Sequence, residues 1–361
     1  AVGTYALDTN TTAERNTAIG YAAMDANTEG QYNTAVGANA LDANTTANYN
    51  TTVGYRSLGA NTTGSENTAI GADAGLSITT GSYNVAMGYR ALDTNTTGDY
   101  NVALGRRALD SNTTASNNVA IGRSSMESNT TGTNNVAVGS TSLDANTEGD
   151  QNVAIGRDVL SANTTGQDNV GVGYASLQAA TTASNNTGLG SKALRSSTTG
   201  AQNTAIGAEC GDAITTGSNN TAVGYEAMGK LTTGTDNVAI GRAALLDTLS
   251  GAGNVAIGVE SLENNTGNEN TAIGKHTLRA NTTGGSNVAI GINALNTDDT
   301  GSYCVAIGRN ALLTQNAGDN SGNVAIGYNT GAAITTATGC TLTGYISGDA
   351  ITTGGGNTAY G

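Results

Sequence analysis

The sequence predicts an all-β protein, a parallel β-solenoid, because one short unit repeats at a fixed period along the whole chain. The clearest mark of the unit is the pentad Asn-[Thr/Val]-Ala-[Ile/Val]-Gly, which starts at Asn16 and returns every 17 residues as far as Asn254. The composition agrees with this prediction. Gly accounts for 52 of the 361 residues, and the chain contains no Pro, Phe or Trp. A globular core of this size uses large aromatic side chains, so we expect a thin, layered core instead.

One repeat unit, numbered from the pentad Asn, reads Asn, Thr/Val, Ala, Ile/Val, Gly, x, x, Ala/Ser, Leu/Met, Asp, x, Asn, Thr, Thr, Gly/Ala, x, x. Positions 1–5 alternate as a strand does, which predicts Thr/Val and Ile/Val on one side and the small residues Asn, Ala and Gly on the other. Leu or Met at position 9 supplies a second large apolar group. Asn-Thr-Thr-Gly has turn chemistry, with Asn and Gly tolerating left-handed backbone. The 17 residues then fit two short strands and two turns, in about 21 coils.

Stacked coils place each residue against its own kind in the coils above and below, about 4.8 Å away. We expect the Asn side chains of positions 1 and 12 to hydrogen-bond from coil to coil. The position-1 ladder begins with Asn16, Asn33, Asn50, Asn67, Asn84 and Asn101. Ile or Val at position 4 and Leu at position 9 are expected to form the two sides of an apolar seam. Members of these two rows are Ile19, Val36, Ile70, Leu41 and Leu92.

Two large apolar groups per coil bury little surface in a single chain. The face that carries Ala and Gly lets another surface approach closely, so we expect several chains to pack there. The sequence therefore predicts one solenoid domain over residues 1–361 that forms a homo-oligomeric rod, with a trimer as the leading expectation. The chain begins inside a pentad and ends on one, so both ends fall inside the repeat, which favours the ordered middle of a longer protein.

The period is irregular over residues 254–323, where one step after Asn254 is 16 residues and one after Cys304 is 19. Insertions in a solenoid map to loops on one edge, so the stretch Gln315–Gly322 is expected to bulge. A minor form of the unit has Gly at position 9 and Ile at position 12, which should keep the apolar seam filled. These isoleucines are Ile78, Ile214, Ile334 and Ile351.

The composition excludes several classes of function. The net charge is −14, and only 14 Lys and Arg are spread along the chain, so no basic patch for nucleic acid is visible. No apolar run approaches the roughly 18–20 residues needed to span a bilayer, so we expect no membrane insertion. The single histidine, His276, has no convergent catalytic or metal-binding partners, and no Gly-rich phosphate loop is visible. The chain is therefore predicted not to be an enzyme and to need no cofactor.

Acidic side chains recur at position 10, where neighbours in adjacent coils stand close enough to repel each other. Calcium bridging is a weak interpretation, because hard oxygen ligands suit that ion. A solvated acidic edge, partly offset by Arg at positions 6 and 7, is the stronger interpretation. The calcium candidates are Asp8, Asp25, Asp42, Asp93 and Asp110.

Tyrosines recur at positions 6 and 17 of the unit. Tyr is a good contact for a glycan or a protein, although capping the end of the seam is the more ordinary interpretation. The surface-contact candidates are Tyr21, Tyr55 and Tyr89.

Three further features have two interpretations each. The Asn-Thr-Thr segments are either glycosylation sequons or simple turns, and we favour turns. Their adjacent Thr pair does not alternate, which weakens a flat ice-binding array without removing it. Cys304 and Cys340 lie two coils apart, roughly 10 Å, which is too far for a disulfide. We interpret them as small buried substitutes.

The unit Asn-Thr-Ala-Ile-Gly-Tyr-x-Ala-Leu-x-x-Asn-Thr-Thr-Gly, as at Asn84–Gly98 with Val and Met substituted, resembles repeats of phage tail-fibre-like proteins. The pentad, as in Asn118–Gly122 and Asn152–Gly156, resembles the Asn-Ser-Val-Ala-Ile-Gly repeat of trimeric autotransporter adhesin heads. The second resemblance implies a left-handed parallel β-roll, three chains wide, used for adhesion. We therefore expect a structural and adhesive segment of an extracellular, cell-surface or virion fibre, which holds or presents a surface for a glycan or protein receptor. A self-assembling extracellular filament and an ice-binding solenoid are the alternatives.

Overall fold

A computed structural model describes all residues, 1–361. It contains no helix and has 21 strands of three residues each, one per coil, at positions 2–4 of the unit. The chain divides into two compact units, Ala1–Ser184 and Asn185–Gly361. The strands of the first unit are β1 (Thr17–Ile19), β2 (Thr34–Val36), β3 (Thr51–Val53), β4 (Thr68–Ile70), β5 (Val85–Met87), β6 (Val102–Leu104), β7 (Val119–Ile121), β8 (Val136–Val138), β9 (Val153–Ile155) and β10 (Val170–Val172). The strands of the second unit are β11 (Thr187–Leu189), β12 (Thr204–Ile206), β13 (Thr221–Val223), β14 (Val238–Ile240), β15 (Val255–Ile257), β16 (Thr271–Ile273), β17 (Val288–Ile290), β18 (Val305–Ile307), β19 (Val324–Ile326), β20 (Thr341–Thr343) and β21 (Thr358–Tyr360).

Within each unit the strands pair in parallel, and each strand pairs position for position with the next. In the second unit Val255 pairs with Thr271, and Val305 pairs with Val324. The register therefore absorbs the short coil and the long coil in their turns, and the sheet is uninterrupted there. The predicted parallel β-solenoid with about 17 residues per coil is confirmed.

Each coil contains only one strand, so the prediction of two short strands per coil is wrong. Positions 6–11 form consecutive turns in which positions 7 and 9 adopt left-handed backbone, as in Asn39 (φ 55°) and Leu41 (φ 55°). Left-handed backbone costs an L-residue roughly 1–2 kcal/mol. Complete burial of a Leu side chain contributes about 1.5–3 kcal/mol, so the burial of Leu41 offsets this strain. In the regular coils the turn at positions 12–15 contains no left-handed Asn or Gly, and position 17 takes that conformation instead, as in Tyr49 (φ 60°).

The strands alternate as predicted, but their two faces are the reverse of our expectation. Ala35 at position 3 is fully buried, whereas Ile19 is 44% exposed and Val36 and Ile70 are half-buried on the outside. Position 3 faces the apolar seam, which is completed by Ala or Ser at position 8 and Leu or Met at position 9. The fully buried position-9 residues include Leu41 and Leu92.

The narrow interior of the coil explains this reversal. At position 8 Val159 replaces the usual Ala or Ser, and position 3 of the next coil is Gly171 instead of Ala. A Cβ on Gly171 would stand 2.5 Å from Cγ1 of Val159, so this part of the interior has no room for one more methyl group. Where position 9 is Leu or Met, an interior packed this tightly admits Ala at position 3 but not Ile or Val, so the branched side chains face outward. Leu342 is buried at position 3 because Gly331 and Gly348 at position 9 leave room for it.

Position 5 is Gly in every coil because no other residue fits. Gly122 has φ +134°, and a Cβ on it would stand 2.4 Å from the carbonyl oxygen of Gly139 in the next coil. The stacked coils thus approach each other backbone to backbone at this corner. The glycine of the pentad is a steric requirement of stacking and not a sign of a phosphate-binding loop.

The two irregular coils gain or lose residues only after position 12. The long coil carries exposed residues within 316–322, but Gln315 is fully buried, so the predicted bulge begins one residue too early. The short coil lacks the exposed residue of position 14. A cleft of about 450 Å³ lies beside it, lined in part by Glu269, Thr283 and Ser302.

Candidate interaction surfaces

The Asn residues of position 1 form a hydrogen-bonded ladder inside the first unit. The backbone N–H of Asn33 donates to Oδ1 of Asn16 (2.8 Å), and Nδ2 of Asn33 donates to the carbonyl oxygen of Ala47 (2.8 Å). Equivalent bonds link Asn50, Asn67, Asn84 and Asn101. These amides satisfy the buried backbone of the coil, which is a structural role.

A second ladder runs through the Asn residues of position 12. Nδ2 of Asn44 donates to Oδ1 of Asn27 (2.7 Å), and the hydroxyl of Thr45 donates to the carbonyl oxygen of Thr62 (3.1 Å). Asn44 and Asn61 are fully buried. Because glycosylation attaches to Nδ2, these sequons are not accessible acceptors in the folded solenoid.

The outward side chains of positions 2 and 4 form a surface that we call the outer strand face. From β5 to β10 every side chain on it is aliphatic or Met, with Val at position 2 and Met, Leu, Ile or Val at position 4. Met87 and Ile155 are 39% and 40% exposed. No residue of the 21 strands is charged, although the chain carries a net charge of −14.

The acidic row at position 10 is partly neutralised by arginines of position 7. Arg107 contacts Asp110 (3.0 Å) and Glu127 (2.7 Å), and Arg90 contacts Asp93 (2.8 Å) and Asp110 (3.5 Å). Burial nevertheless raises the pKa of the Asp110 carboxyl, because desolvation outweighs the two arginines.

The other calcium candidates lie in the first three coils. Asp8 is exposed, Asp25 and Asp42 are half-buried, and burial raises the pKa of Asp42. The structure contains no group of three or more His, Cys, Asp or Glu side chains that could hold a metal ion.

The tyrosines lie on the surface. The side chains of Tyr21, Tyr55 and Tyr89 at position 6 are all about half exposed. At position 17 the rings of Tyr32 and Tyr49 stack with centroids 4.8 Å apart and an interplanar angle of 10°. The equivalent pair Tyr83 and Tyr100 also has centroids 4.8 Å apart.

A polar cleft of about 360 Å³ lies beside the first tyrosine pair. It is lined by Glu29, Gln31 and Asn48 together with Tyr32 and Tyr49. The backbone N–H of Gln31 donates to Oδ1 of Asn48 (2.7 Å), which fixes one wall of the cleft. Amide, carboxylate and aromatic groups thus meet at one surface site.

The single histidine belongs to a surface cluster of ion pairs. Nε2 of His276 lies 3.1 Å from Glu260, which Arg242 and Arg279 approach at 2.5 Å and 3.3 Å. The hydrogen bond from Arg242 is the main reason that the pKa of Glu260 lies below its usual range.

Sequence reasoning missed one buried polar cluster, which joins the long coil to the coils before and after it. We call Asp298, Cys304, Gln315, Ser321 and Asn323 the Cys304 cluster. All five are fully buried, and their side chains contact one another. The signal was present in the sequence, because three ladder positions in neighbouring coils change together: Asp and Gln at position 12, and Cys at position 1.

The structure contains no helix with the length and apolarity that crossing a membrane would need. No protein-family model and no curated protein matches the chain.

Proposed function

We propose that the chain is a structural and adhesive segment of an extracellular fibre, on a cell surface or a virion. Its coils form a rigid scaffold, and copies of the chain pack together through the outer strand face. The fibre holds or presents surfaces for a glycan or protein receptor. The resemblance of the pentad to adhesin head repeats favours three chains and a left-handed coil. No catalytic step and no cofactor form part of this proposal.

The outer strand face is the single observation that carries the proposal. The ten strands of the first unit make a strip of about 45 Å by 10 Å, because strands lie about 4.8 Å apart and rise about 3.3 Å per residue. Such a strip is on the order of 450 Å², and its wholly apolar part, the six strands β5 to β10, is on the order of 300 Å², comparable to the largest apolar patch of a typical monomer. Its side chains are uncharged, and those of β5 to β10 are all apolar, as in the core of a stable interface.

The oligomeric state tests this proposal. Lys at both Val136 and Val138 places charge on the outer strand face without entering the coil. Thr131→Lys is the matched control, because Thr131 is exposed at position 14, away from the strand. We expect native mass spectrometry to give a trimer for the parent and the control, and smaller particles for the double variant with an unchanged circular dichroism spectrum. A monomeric parent would contradict the proposal, and open-ended polymers would support the filament instead.

The tyrosine pairs and the polar cleft beside Tyr32 are the receptor contacts that this proposal favours. Stacked, exposed Tyr rings supply large contact area at little cost in conformational entropy. Tyr32→Ala with Tyr49→Ala should lower binding to receptor-bearing cells or glycan arrays. Tyr21→Ala, which changes a tyrosine of position 6, serves as the comparison.

Ice binding is a second candidate, favoured by one observation. Strands β1 to β4 all carry Thr at position 2, and these side chains point outward with Ile or Val two residues later. The strands thus have the alternation that the Thr pair of positions 13 and 14 lacks. Thermal hysteresis of the purified chain would support this candidate, and freezing without hysteresis would eliminate it.

A further inference from the structure

The Cys304 cluster brings a thiol against a carboxamide in a site closed to solvent. Sγ of Cys304 lies 3.0 Å from Nε2 of Gln315. The carbonyl carbon of Gln315 is one covalent bond from that nitrogen. Both side chains are fully buried, and both replace the Asn of a ladder position. The pair thus departs from the repeat at two positions that face each other.

The other three side chains of the cluster surround the amide of Gln315. Nδ2 of Asn323 donates to Oε1 of Gln315 (2.9 Å), which polarises the carbonyl group and is placed to stabilise negative charge on that oxygen. At the other end of the amide group, Nε2 of Gln315 donates to Oδ2 of Asp298 (3.0 Å). The hydroxyl of Ser321 lies 3.1 Å from Sγ and 3.3 Å from Nε2, so it touches both the nucleophile and the leaving nitrogen.

We propose that Cys304 and Gln315 condense into an internal thioester. Sγ of Cys304 attacks the side-chain carbonyl carbon of Gln315, and a carbon–sulfur bond forms. The bond from that carbon to Nε2 breaks, and the thiol proton passes to the nitrogen, which leaves as ammonia. Atoms and charge balance without an oxidant or a co-reactant. The product is a covalent link across the coil that carries the insertion.

Proximity supports this step, and the thiol must pass its proton to Ser321 as it attacks, because burial raises the pKa of Cys304. Burial raises the pKa of Asp298 to about 6, so the carboxyl retains its proton in weakly acidic solution and can donate it to the departing nitrogen. Ser321 connects the thiol to the same nitrogen and can return the thiol proton. Holding thiol and amide together in a dry site replaces a bimolecular encounter and protects the thioester from hydrolysis.

The chain contains its own control thiols. Cys210 is fully buried, and its thiol bonds to backbone groups of Ile206 and Gly224. Cys340 also occupies position 1, but the carboxamide nitrogen that approaches its sulfur, Nδ2 of Asn357, is 4.0 Å away, and Asn357 is only half-buried. Only Cys304 has a buried carboxamide within 3.0 Å, so the modification should be confined to that residue.

Intact mass spectrometry of the purified full chain tests the proposal. We expect a mass lower than that of the sequence by one ammonia, with peptide mapping that joins Cys304 to Gln315. Methylamine added to the unfolded protein should convert Gln315 to its methylamide and release the thiol. The full sequence mass with three alkylatable thiols in the unfolded parent would overturn the proposal, whether or not any variant folds.

Variants then assign the roles. Cys304→Ser and Gln315→Leu should both restore the full mass. Asp298→Asn introduces the residue that most other coils have at position 12, so the variant should fold. During refolding it should release ammonia at least tenfold more slowly than the parent, and the rate of release should depend less on pH. An unchanged rate and pH profile in Asp298→Asn would remove Asp298 from the step.

Discussion

Ile78 fills the space beside Gly75. A Cβ on Gly75 would stand 3.1 Å from Cδ1 of Ile78 and 3.1 Å from Cδ2 of Leu58. Ile78 is fully buried, and Oδ1 of Asn61 in the preceding coil has no hydrogen-bond donor, because Ile replaces the next Asn of the ladder. The minor unit thus exchanges one Leu and one Asn for Gly and Ile, which moves the large apolar side chain from position 9 to position 12 and keeps the seam filled, as the sequence predicted.

A double-mutant cycle tests this exchange. Gly75→Leu alone should overpack the seam and destabilise the chain by about 1–3 kcal/mol, and Ile78→Asn alone should leave a cavity that costs about 2–5 kcal/mol. The double variant restores the major unit and gives Asn61 a donor. We expect it to be more stable than either single variant in urea unfolding. Additive losses would mean that the two residues do not share one space.

The pentad glycine gives a second prediction. Gly122→Ala should destabilise the chain by about 3 kcal/mol or more, because it combines a steric clash with a backbone region reserved for Gly. Gly59→Ala is the control, since its new Cβ would meet nothing closer than Cδ1 of Leu76 at 3.2 Å. The control should cost less than about 1 kcal/mol. Equal losses in thermal unfolding would show that the coils are not stacked backbone to backbone at position 5.

The ladder of position 12 can be extended by one rung. Oδ1 of Asn163 has no hydrogen-bond donor, because the next rung is the buried Ala180. Ala180→Asn supplies an Nδ2 donor in a place where other coils accommodate Asn, and it should stabilise the chain by about 1 kcal/mol. Ala162→Asn at position 11, which is outside the ladder, should not stabilise it. Urea unfolding of the two variants makes the comparison, and equal midpoints would count against the ladder.

The buried carboxyl of Asp298 predicts a pH dependence. Burial raises its pKa from 3.8 to about 6, while Gly301 and Gln315 lower it through hydrogen bonds and Asp299 raises it. The folded state therefore holds the proton more tightly than the unfolded state. The stabilising contribution is complete below about pH 4 and is lost as the pH rises through about 6, on the order of 3 kcal/mol.

Asp298→Asn removes this dependence and provides a donor for Oδ1 of Asn281, which has none in the parent. The difference in unfolding free energy between variant and parent should grow between about pH 4 and pH 6 and then stay constant. Other acids with a raised pKa, such as Asp42 and Asp144, cancel in this difference. A difference that does not vary with pH would contradict the assignment to Asp298.

The period and the alternation of the pentad were sufficient to predict the parallel sheet and the positions of the ladders. The alternation could not decide which face of the strand is inside. A side-chain period of two shows which residues share a face, but it does not show which face points into the core. The width of the coil decides which face is inside. In the sequence, the only sign of that width is that Gly171 replaces Ala where Val159 faces it. The left-handed Leu residues were missed because Leu rarely takes that backbone, and tertiary burial overrides the local preference.

The central claim is that Ile121 points outward and is covered by another copy of the chain, and cysteine alkylation tests it most directly. Ala120→Cys, Ile121→Cys and Thr131→Cys probe an inward, an outward and an edge position, and the three native cysteines are fully buried. Each is measured with and without Lys at Val136 and Val138. We expect the cysteine at position 121 to react slowly in the parent and rapidly when Lys at Val136 and Val138 dissociates the oligomer. The cysteine at position 120 should react slowly in both backgrounds, and the cysteine at position 131 should react rapidly in both. Rapid reaction at 121 in both backgrounds would contradict a covered face, and slow reaction in both would contradict an outward one.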